Sequence, residues 1–358
     1  MKGNNKITVV VGMSGGVDSS VAALLLKKQG YNVIGLHMKG ANPETNSNDE
    51  KRVRELGVQI GIEIHVADYS DQMQLVKDYF VSEYQAGRTP NPCIVCNREV
   101  KFKPFIDYCE KIGADYFATG HYARILHENG MHVLMKAFDE NKDQSYFLCQ
   151  LSNKQLEKAL FPLGELSKDE VRQIAKDNNL ISSETKDSYD VCFLGAEKFK
   201  DFMGKNYPEK PGNIIDTKTG KIIGIHSGIS KYTIGQRRGL GIGGGFGKIG
   251  ESWFVSKKDA NKNIIYVTQG NGAELMSSSL KSNKVNWIVY PKRKEFDCTA
   301  KFRYRQKEQN VHVSLSEHDE VCVKFQEKQR AITLGQYVVF YDGEICLGGG
   351  VIDEVNNG

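Results

Sequence analysis

The spacing of apolar and polar positions changes character twice along the chain. From the N-terminus to about residue 150, continuous apolar runs of strand length occur at Lys6 to Met13, Asn32 to Met38, Ile62 to Ala67 and Tyr116 to Thr119. Between them, Ser19 to Gln29, Asp49 to Gly57, Asp71 to Gln85 and Val100 to Lys111 repeat their apolar residues at helical spacing. This alternation predicts an α/β domain with a doubly wound, mainly parallel sheet. Ligands of such sheets lie outside the carboxyl ends of the strands, where the turn at Ser14, Met38 and Gly120-His121 would fall. Residues 151–207 read as helical, and Ser167-Lys-Asp-Glu170 has capping-box spacing. Residues 208–250 are rich in glycine and basic side chains, with little helical period. From Ser252 onward, short alternating runs such as Trp253 to Ser256, Asn263 to Val267, Val311 to Leu315, Val321 to Phe325 and Tyr337 to Tyr341 are separated by turn residues. They predict a small central β-rich domain and then a C-terminal β-barrel. The expected domains are 1–207, 208–275 and 276–358.

Composition narrows this picture modestly. A chain of 358 residues exceeds what one compact core serves well. A formal net charge of +4 permits RNA binding without arguing for it. Lys2, Asn4, Asn5 and Lys6 lead into the first strand with no apolar signal segment. No apolar run approaches the roughly 20 residues that span a bilayer. The expectation is a cytoplasmic protein with no membrane partner, whose eight cysteines are thiols.

The chemistry begins at Ile7-Thr-Val-Val-Val-Gly-Met-Ser-Gly-Gly-Val-Asp-Ser19. A buried strand runs into a glycine turn and then a helix, an arrangement that presents backbone N–H groups to an anion. Gly15 and Gly16 permit close approach, and Ser14 and Ser19 add hydroxyls. Asp18 beside a phosphate is repulsive unless a divalent cation lies between them, which points to nucleotide phosphates with Mg²⁺. As a bland alternative, Asp18 is a helix N-terminal charge favoured by the dipole. No Lys follows the glycines, so this is not a Walker A loop. Ser-Gly-Gly-Val-Asp-Ser instead resembles the PP-loop of the N-type ATP pyrophosphatases, which cleave ATP between the α- and β-phosphates and adenylate an oxygen.

The second informative stretch is Thr89-Pro-Asn-Pro-Cys-Ile-Val-Cys-Asn-Arg-Glu-Val-Lys-Phe102. Its prolines predict a stiff loop displaying Cys93 and Cys96, with Arg98 and Lys101 near enough to favour thiolates. Cys192 lies in another polar loop, Thr185 to Gly195. A thiol–disulfide pair, a metal site and a nucleophile are all open to these three. Four ligands are normal for structural zinc and no second Cys-x-x-Cys is present, which disfavours a zinc finger. Cys109, Cys149, Cys298, Cys322 and Cys346 sit in apolar periodic contexts and read as core thiols.

Together these stretches resemble the tRNA-specific 2-thiouridylase family (MnmA/TrmU) nearly end to end. The resemblance rests on Gly-Met-Ser-Gly-Gly-Val-Asp-Ser from Gly12, Arg-Thr-Pro-Asn-Pro from Arg88 and Gly-His-Tyr-Ala-Arg from Gly120. It continues through Lys142-Asp-Gln-Ser-Tyr-Phe147, Thr233 to Gly243, Arg303-Tyr-Arg305 and Cys346-Leu-Gly-Gly-Gly350. The resemblance implies ATP-dependent adenylation of the wobble uridine 2-oxygen and its replacement by sulfur, with AMP released. It implies an ATP site of Gly12, Met13, Ser14, Gly15, Gly16, Val17, Asp18 and Ser19, with Met38 and Gly120 near the adenosine. Cys96 matches the catalytic cysteine and Cys192 the persulfide carrier, the pair forming a disulfide in turnover. Asn91, Pro92 and Cys93 match the loop around the target base. His121, Lys142, Asp143, Gln144, Arg303, Tyr304 and Gln336 match tRNA-contacting positions. The implied partners are tRNAs for Lys, Glu and Gln, and a cysteine desulfurase or sulfur-relay protein as donor.

Cys93 departs from the pattern, because many members carry Asp there with an assigned acid/base role. The departure leaves Cys93, Cys96 and Cys192 as three thiols of the kind that hold a 4Fe–4S cluster with one iron open. Two mechanisms follow: a persulfide on Cys192 resolved by Cys96, or a cluster carrying the sulfur. Some residues also have bland readings: His121 as a core histidine, Arg303-Tyr304-Arg305 as a charge-guarded strand edge, and Thr233 to Gly243 as a solvated basic loop. The competing functions are another PP-loop ATP pyrophosphatase, such as an amidotransferase-type synthetase or a different tRNA thiolase, and a non-catalytic RNA-binding module.

Overall fold

The computed structural model describes the chain except residues 1–6, 41–42, 129, 186–198, 208–209, 244–245, 249, 271, 317–319 and 357–358. The first domain runs β1 (Thr8–Gly12), α1 (Val17–Lys28), β2 (Asn32–Lys39), α2 (Pro43–Ile60), β3 (Glu63–Asp68) and α3 (Ser70–Gln85). It continues through α4 (Pro92–Val95), a π-helical turn (Cys96–Phe102), α5 (Lys103–Ile112) and β4 (Tyr116–Ala118). Next come a hairpin of β5 (Arg124–Glu128) and β6 (Met131–Met135), α6 (Ser145–Leu148), α7 (Asn153–Lys158), β7 (Ala159–Leu160), α8 (Lys168–Asp177) and α9 (Phe199–Asn206). Strands β3-β2-β1-β4-β7 form one sheet, and all of its pairs are parallel.

This sheet is covered on both faces, which is why its strands read as continuous apolar runs. Val9 and Val11 pack with Val21 and Ala22 of α1 and with Val171 and Ala175 of α8. Val10, between them, faces the other way, toward Phe102, Phe105 and Phe117. All three valines are fully buried, each stabilising by about 1.5–3 kcal/mol relative to exposure. The apolar cluster on that face extends to Tyr337, Val339, Tyr341 and Cys346 from near the end of the chain, so the domains share one core.

The central unit is a four-stranded sheet in the order β10-β11-β8-β9, built from β8 (Gly212–Asp216), β9 (Ile222–His226), β10 (Trp253–Asp259) and β11 (Ile264–Gln269). The last eight strands are β12 (Met276–Ser282), β13 (Val285–Trp287), β14 (Glu295–Lys301), β15 (Gln309–Leu315), β16 (Val321–Arg330), β17 (Tyr337–Asp342), β18 (Ile345–Val351) and β19 (Glu354–Asn356). Together with β5 and β6 they form a ten-stranded sheet in the order β19-β12-β16-β15-β14-β17-β18-β6-β5, with β13 paired to β18.

Two sequence expectations are corrected, the helical reading of 151–207 and the loop at Cys93 and Cys96, and one hairpin lies where no expectation was stated. The segment read as helical over 151–207 contains β7, which pairs with Phe117 and Ala118 as the fifth parallel strand. Two residues are too short to show a period. The hairpin Arg124–Met135 belongs by hydrogen bonding to the barrel sheet, through Ile345 and Met135, although it lies among the first domain's elements. The proline-stiffened loop at Cys93 and Cys96 is helical: Pro92 opens α4 where its missing N–H costs nothing, and Cys96 begins the π turn. The capping box at Ser167 is present, with both Ser167–Glu170 bonds made.

Candidate active site

The turn after β1 is closed by its own side chains. The Ser14 amide donates to Ser19 Oγ at 3.2 Å, Ser19 Oγ donates to the Gly16 carbonyl at 3.2 Å, and the Gly16 amide donates to Ser14 Oγ at 3.4 Å. Gly15 holds φ +80°, a conformation that favours glycine. Gly16 caps α1 without a side-chain hydrogen bond, so the helix's first amides have no side-chain competitor for an anion. Gly120, after β4, lies against this helix start. A Cβ there would come within 2.8 Å of Asp18 C and Ser19 N, both backbone atoms. The carboxyl ends of β1 and β4 therefore meet at the turn, on the side where strand order reverses.

Asp18 is partnered in a way the sequence did not foretell. Lys168 Nζ lies 2.6 Å from its Oδ1, and Tyr122 donates its hydroxyl to the same oxygen at 2.9 Å. Lys168 is buried, and its ammonium also lies 5.8 Å from the Tyr122 ring. The donor set of one carboxylate and two hydroxyls consists of hard oxygens, and it fits Mg²⁺ that completes its shell with water and substrate phosphates. Lys168 supplies a second positive charge beside the same cradle. Its signal was its position directly after the Ser167 cap, which fixes the lysine at the first helical position of α8.

His37 and Met38 end β2 beside this turn. His37 Nδ1 lies 3.0 Å from the Met13 carbonyl, which can only accept, so Nδ1 carries the proton. Met38 packs against the apolar cluster of Val76, Cys96 and Val100, which joins the nucleotide end of the sheet to the cysteine helix. Cys96 is 4% exposed, while Cys93, one turn earlier on the same helix, is half-buried. Arg98, expected to favour thiolates, is engaged elsewhere: Nε bonds Glu99 Oε1 at 2.7 Å and Nη1 bonds Gln150 Oε1 at 2.7 Å. Cys192 lies outside the described residues, so its expected roles as persulfide carrier, disulfide partner and cluster ligand have no geometry here. Among the described residues no group of three His, Cys, Asp or Glu is arranged to hold a metal ion.

The expected core thiols divide. Cys109, Cys149 and Cys346 are buried, whereas Cys298 and Cys322 are half-buried. Burial pushes Cys109, Cys298 and Cys346 up to about 12 and Cys149 well above its ordinary value, so these four stay protonated.

Residues expected at tRNA occupy different environments. Arg303 is exposed, and Tyr304 packs against Phe147 with ring centroids 4.2 Å apart and planes tilted by 40°. His121 lies beside Phe102 and Phe161, and Thr119 Oγ1 is 2.8 Å from its Nδ1. Desolvation, aided by Lys101, holds its pKa well below the ordinary value, so the ring is neutral. Lys142 is half-buried, whereas Asp143 is buried and its carboxylate accepts from the Ala137 and Ser145 amides and from Ser145 Oγ. Gln144 Oε1 accepts from the Tyr122 amide at 2.9 Å. Gln336 Nε2 donates to the Thr89 carbonyl at 2.8 Å. Asn91 and Pro92 are buried at the start of the cysteine helix.

An open parallel sheet with a glycine turn at its reversal point defines an α/β protein of the nucleotide-binding kind. Comparison agrees and goes further. Residues 7–196 match the model described as tRNA methyl transferase HUP domain. Residues 200–269 match the tRNA methyl transferase PRC-barrel domain, and residues 277–352 match the aminomethyltransferase beta-barrel domain. The chain is 51% identical to the tRNA-specific 2-thiouridylase MnmA of Enterococcus faecalis, over 99% of this chain and 97% of that protein. It is 49% identical to MnmA of Oceanobacillus iheyensis over 99% and 97%, and 49% identical to that of Alkaliphilus oremlandii over 97% of each. The chain belongs to the tRNA-specific 2-thiouridylase (MnmA) family. Membership implies use of ATP and Mg²⁺ and a tRNA substrate. Among solved structures, the U34-tRNA thiolase NcsA of Methanococcus maripaludis with its [4Fe-4S] cluster aligns at TM-score 0.37 and 21% identity, over 57% of this chain and 68% of that one. NMN synthetase of Francisella tularensis aligns at 0.34 and 18%, over 56% and 72%. Alignments this partial carry no inference about the site. No described helix is long and apolar enough to cross a membrane.

Proposed function

We propose that this protein is a tRNA-uridine 2-sulfurtransferase acting on the wobble uridine of tRNAs for Lys, Glu and Gln in the cytoplasm. One observation carries the reading: Cys96, one helical turn after Cys93, packs with Met38 near the carboxyl end of β2, and the phosphate turn at Ser14–Ser19 follows the carboxyl end of the neighbouring parallel strand β1. A uridine 2-carbonyl is a poor electrophile, and adenylation makes its oxygen a leaving group. The 2-oxygen attacks the α-phosphorus, the α–β bond breaks, and pyrophosphate departs with its electron pair. Ser14, Ser19 and the first amides of α1 hold the phosphates, and Lys168 offsets charge on the leaving pyrophosphate. Asp18 would hold Mg²⁺, which neutralises phosphate charge when bound.

Sulfur then enters as an anion. In this reading the terminal sulfur of a Cys192 persulfide, loaded by a cysteine desulfurase or relay protein, attacks C2 and AMP leaves. The Cys96 thiolate attacks Cys192 Sγ, the electron pair of the breaking S–S bond passes to the sulfur on C2, and a Cys96–Cys192 disulfide remains for an external dithiol to reduce. Asn91, Pro92 and Cys93 frame the flipped base, at a cost of a few kcal/mol that is least in a single-stranded loop. Exposed Arg303 and the Tyr304 platform, with Lys142 and His121, suit the anticodon arm.

Cys93 supports a second reading. Standing one helical turn before Cys96, it supplies two thiols from one helix. With Cys192 they would form a three-thiolate set that holds a 4Fe–4S cluster and leaves one iron for exogenous sulfide. Anaerobic reconstitution with iron and sulfide analysis separates the two: stoichiometric bound iron supports the cluster, and its absence leaves the persulfide. The main reading is tested by tRNA-dependent AMP formation and nucleoside mass spectrometry. AMP release that requires tRNA, with 2-thiouridine formed, is expected; ADP release or turnover indifferent to tRNA overturns it.

A further inference from the structure

One loop of the first domain grips both partners of Asp18. Asp139 folds the loop back on itself: its Oδ1 accepts from the Asn141 amide at 3.0 Å, and its carbonyl accepts from the Lys142 amide at 3.0 Å. Its Oδ2 accepts from the Lys168 amide at 3.0 Å, at the first position of α8. Further along, Gln144 binds the backbone of Tyr122 twice. Its Oε1 accepts from the Tyr122 amide at 2.9 Å, and its own amide donates to the Tyr122 carbonyl at 2.8 Å. The side chains of Lys168 and Tyr122 then converge on one atom, Asp18 Oδ1, from 150 and 104 residues away in sequence. Tyr122 is 2% exposed, so its side chain serves the interior rather than an RNA surface. Between the two grips, Glu140 and Asn141 are exposed and Lys142 is half-buried.

We infer that Tyr122 and Asp139 are positioning residues that tie the phosphate site to the loop at 139–144, so that tRNA engaging Lys142 and magnesium nucleotide engaging Asp18 tighten each other's binding. An RNA that orders this loop also fixes the start of α8 and the backbone of Tyr122. With them it fixes the two groups that hold Asp18. The ordering cost then falls once on two ligands, which is positive coupling, and such coupling is reciprocal. The inference rests on the proposals that Asp18 holds Mg²⁺ and that Lys142 meets tRNA.

The test is calorimetric binding of magnesium α,β-methylene-ATP, whose α–β bridge does not hydrolyse, with and without a saturating unthiolated lysine tRNA transcript. The intact protein is expected to bind this nucleotide about fivefold more tightly with tRNA, the lower end of ordinary coupling. Without tRNA, Tyr122→Phe should bind it about tenfold more weakly, the scale of one hydrogen bond to a charged group. In that variant the coupling should fall to about twofold or less. Asp139→Ala should also reduce the coupling, with faster hydrogen exchange in the 138–145 and 166–171 peptides. The two substitutions should combine less than additively, because both act through Asp18. In the intact protein tRNA should slow exchange in the 138–145 peptide. Exchange in the 92–102 peptide, which covers the cysteine helix, should be the same in the variants as in the intact protein. An intact protein without coupling, or Tyr122→Phe with nucleotide affinity and coupling intact, overturns the inference. Faster exchange throughout a variant would also overturn it, as a global loss of stability. Two further variants separate its premises: unchanged nucleotide affinity in Asp18→Asn sinks the reading of Asp18 as the Mg²⁺ ligand, and unchanged tRNA affinity in Lys142→Ala sinks the RNA contact of the loop.

Discussion

The phosphate turn and the cysteine helix face the same end of one sheet, yet they are held in opposite ways. Ser14, Gly16 and Ser19 close the turn within six residues, by bonds among themselves. The cysteine helix is positioned from afar, by Gln336 and Asp353 at its entry. Alongside it, Asn97 donates to the Phe147 carbonyl and Arg98 bonds Gln150. A site that must recognise one invariant cofactor-like substrate carries the closure of its turn in its own sequence and takes only the partners of Asp18 from afar. A site that must respond to a large RNA takes its geometry from the domain that would grip the RNA.

The contrast can be broken most decisively at its reactive groups. Cys96→Ser is expected to lower thiolation by at least about a thousandfold while tRNA binding persists, because the thiolate has no substitute nucleophile. Filter binding beside nucleoside analysis checks this. Lys168→Ala is expected to lower AMP formation about 10²–10³-fold, the scale for removing one preorganised electrostatic partner. Lys168→Arg should recover part of that loss, and calorimetric titration of Mg·ATP should show weaker binding in the alanine protein. Gly120→Ala forces a methyl against the backbone of Asp18 and Ser19, and about 1–3 kcal/mol of stability should be lost in denaturant unfolding. If the turn is as self-contained as it looks, exchange at 92–102 will be untouched.

His121 sharpens the comparison through pH. Its folded pKa is depressed, chiefly by desolvation, so the unfolded chain takes up the proton first as pH falls. The contribution is therefore fully present above about pH 6.5 and declines below it. Urea midpoints at pH 7.5 and 5.0 should diverge more for the natural protein than for His121→Gln. The smallest effect is expected at Arg54→Ala, which removes an exposed pair with Glu50 and should change stability by less than about 0.5 kcal/mol.

Local chemistry was legible in the chain. The turn was evident because the bonds among Ser14, Gly16 and Ser19 that close it lie within a few residues, and the Ser167 cap was evident for the same reason. Lys168 was hidden, since its partner Asp18 is 150 residues away. The two-residue strand β7 was hidden by its brevity, and the helix at Cys93 by prolines that serve equally for a loop and for a first helical turn. The motif residues Asp143, Gln144 and Gln336 were visible as positions. Their inward hydrogen bonds depend on where strands and carbonyls far along the chain come to rest.

The shared apolar cluster has a consequence for how the protein is made. Val10 leaves the ribosome among the first residues, and Tyr341 and Cys346, which belong to the same apolar cluster, among the last. Because synthesis proceeds from the N-terminus, the part of that cluster around Tyr146 and the hairpin strand ending at Met135, which the last strands complete, waits uncovered for almost the whole time of translation. A chain released at residue 207 is expected to aggregate rather than fold as a free-standing domain, and the nascent protein should be a frequent client of chaperones until its final strands emerge.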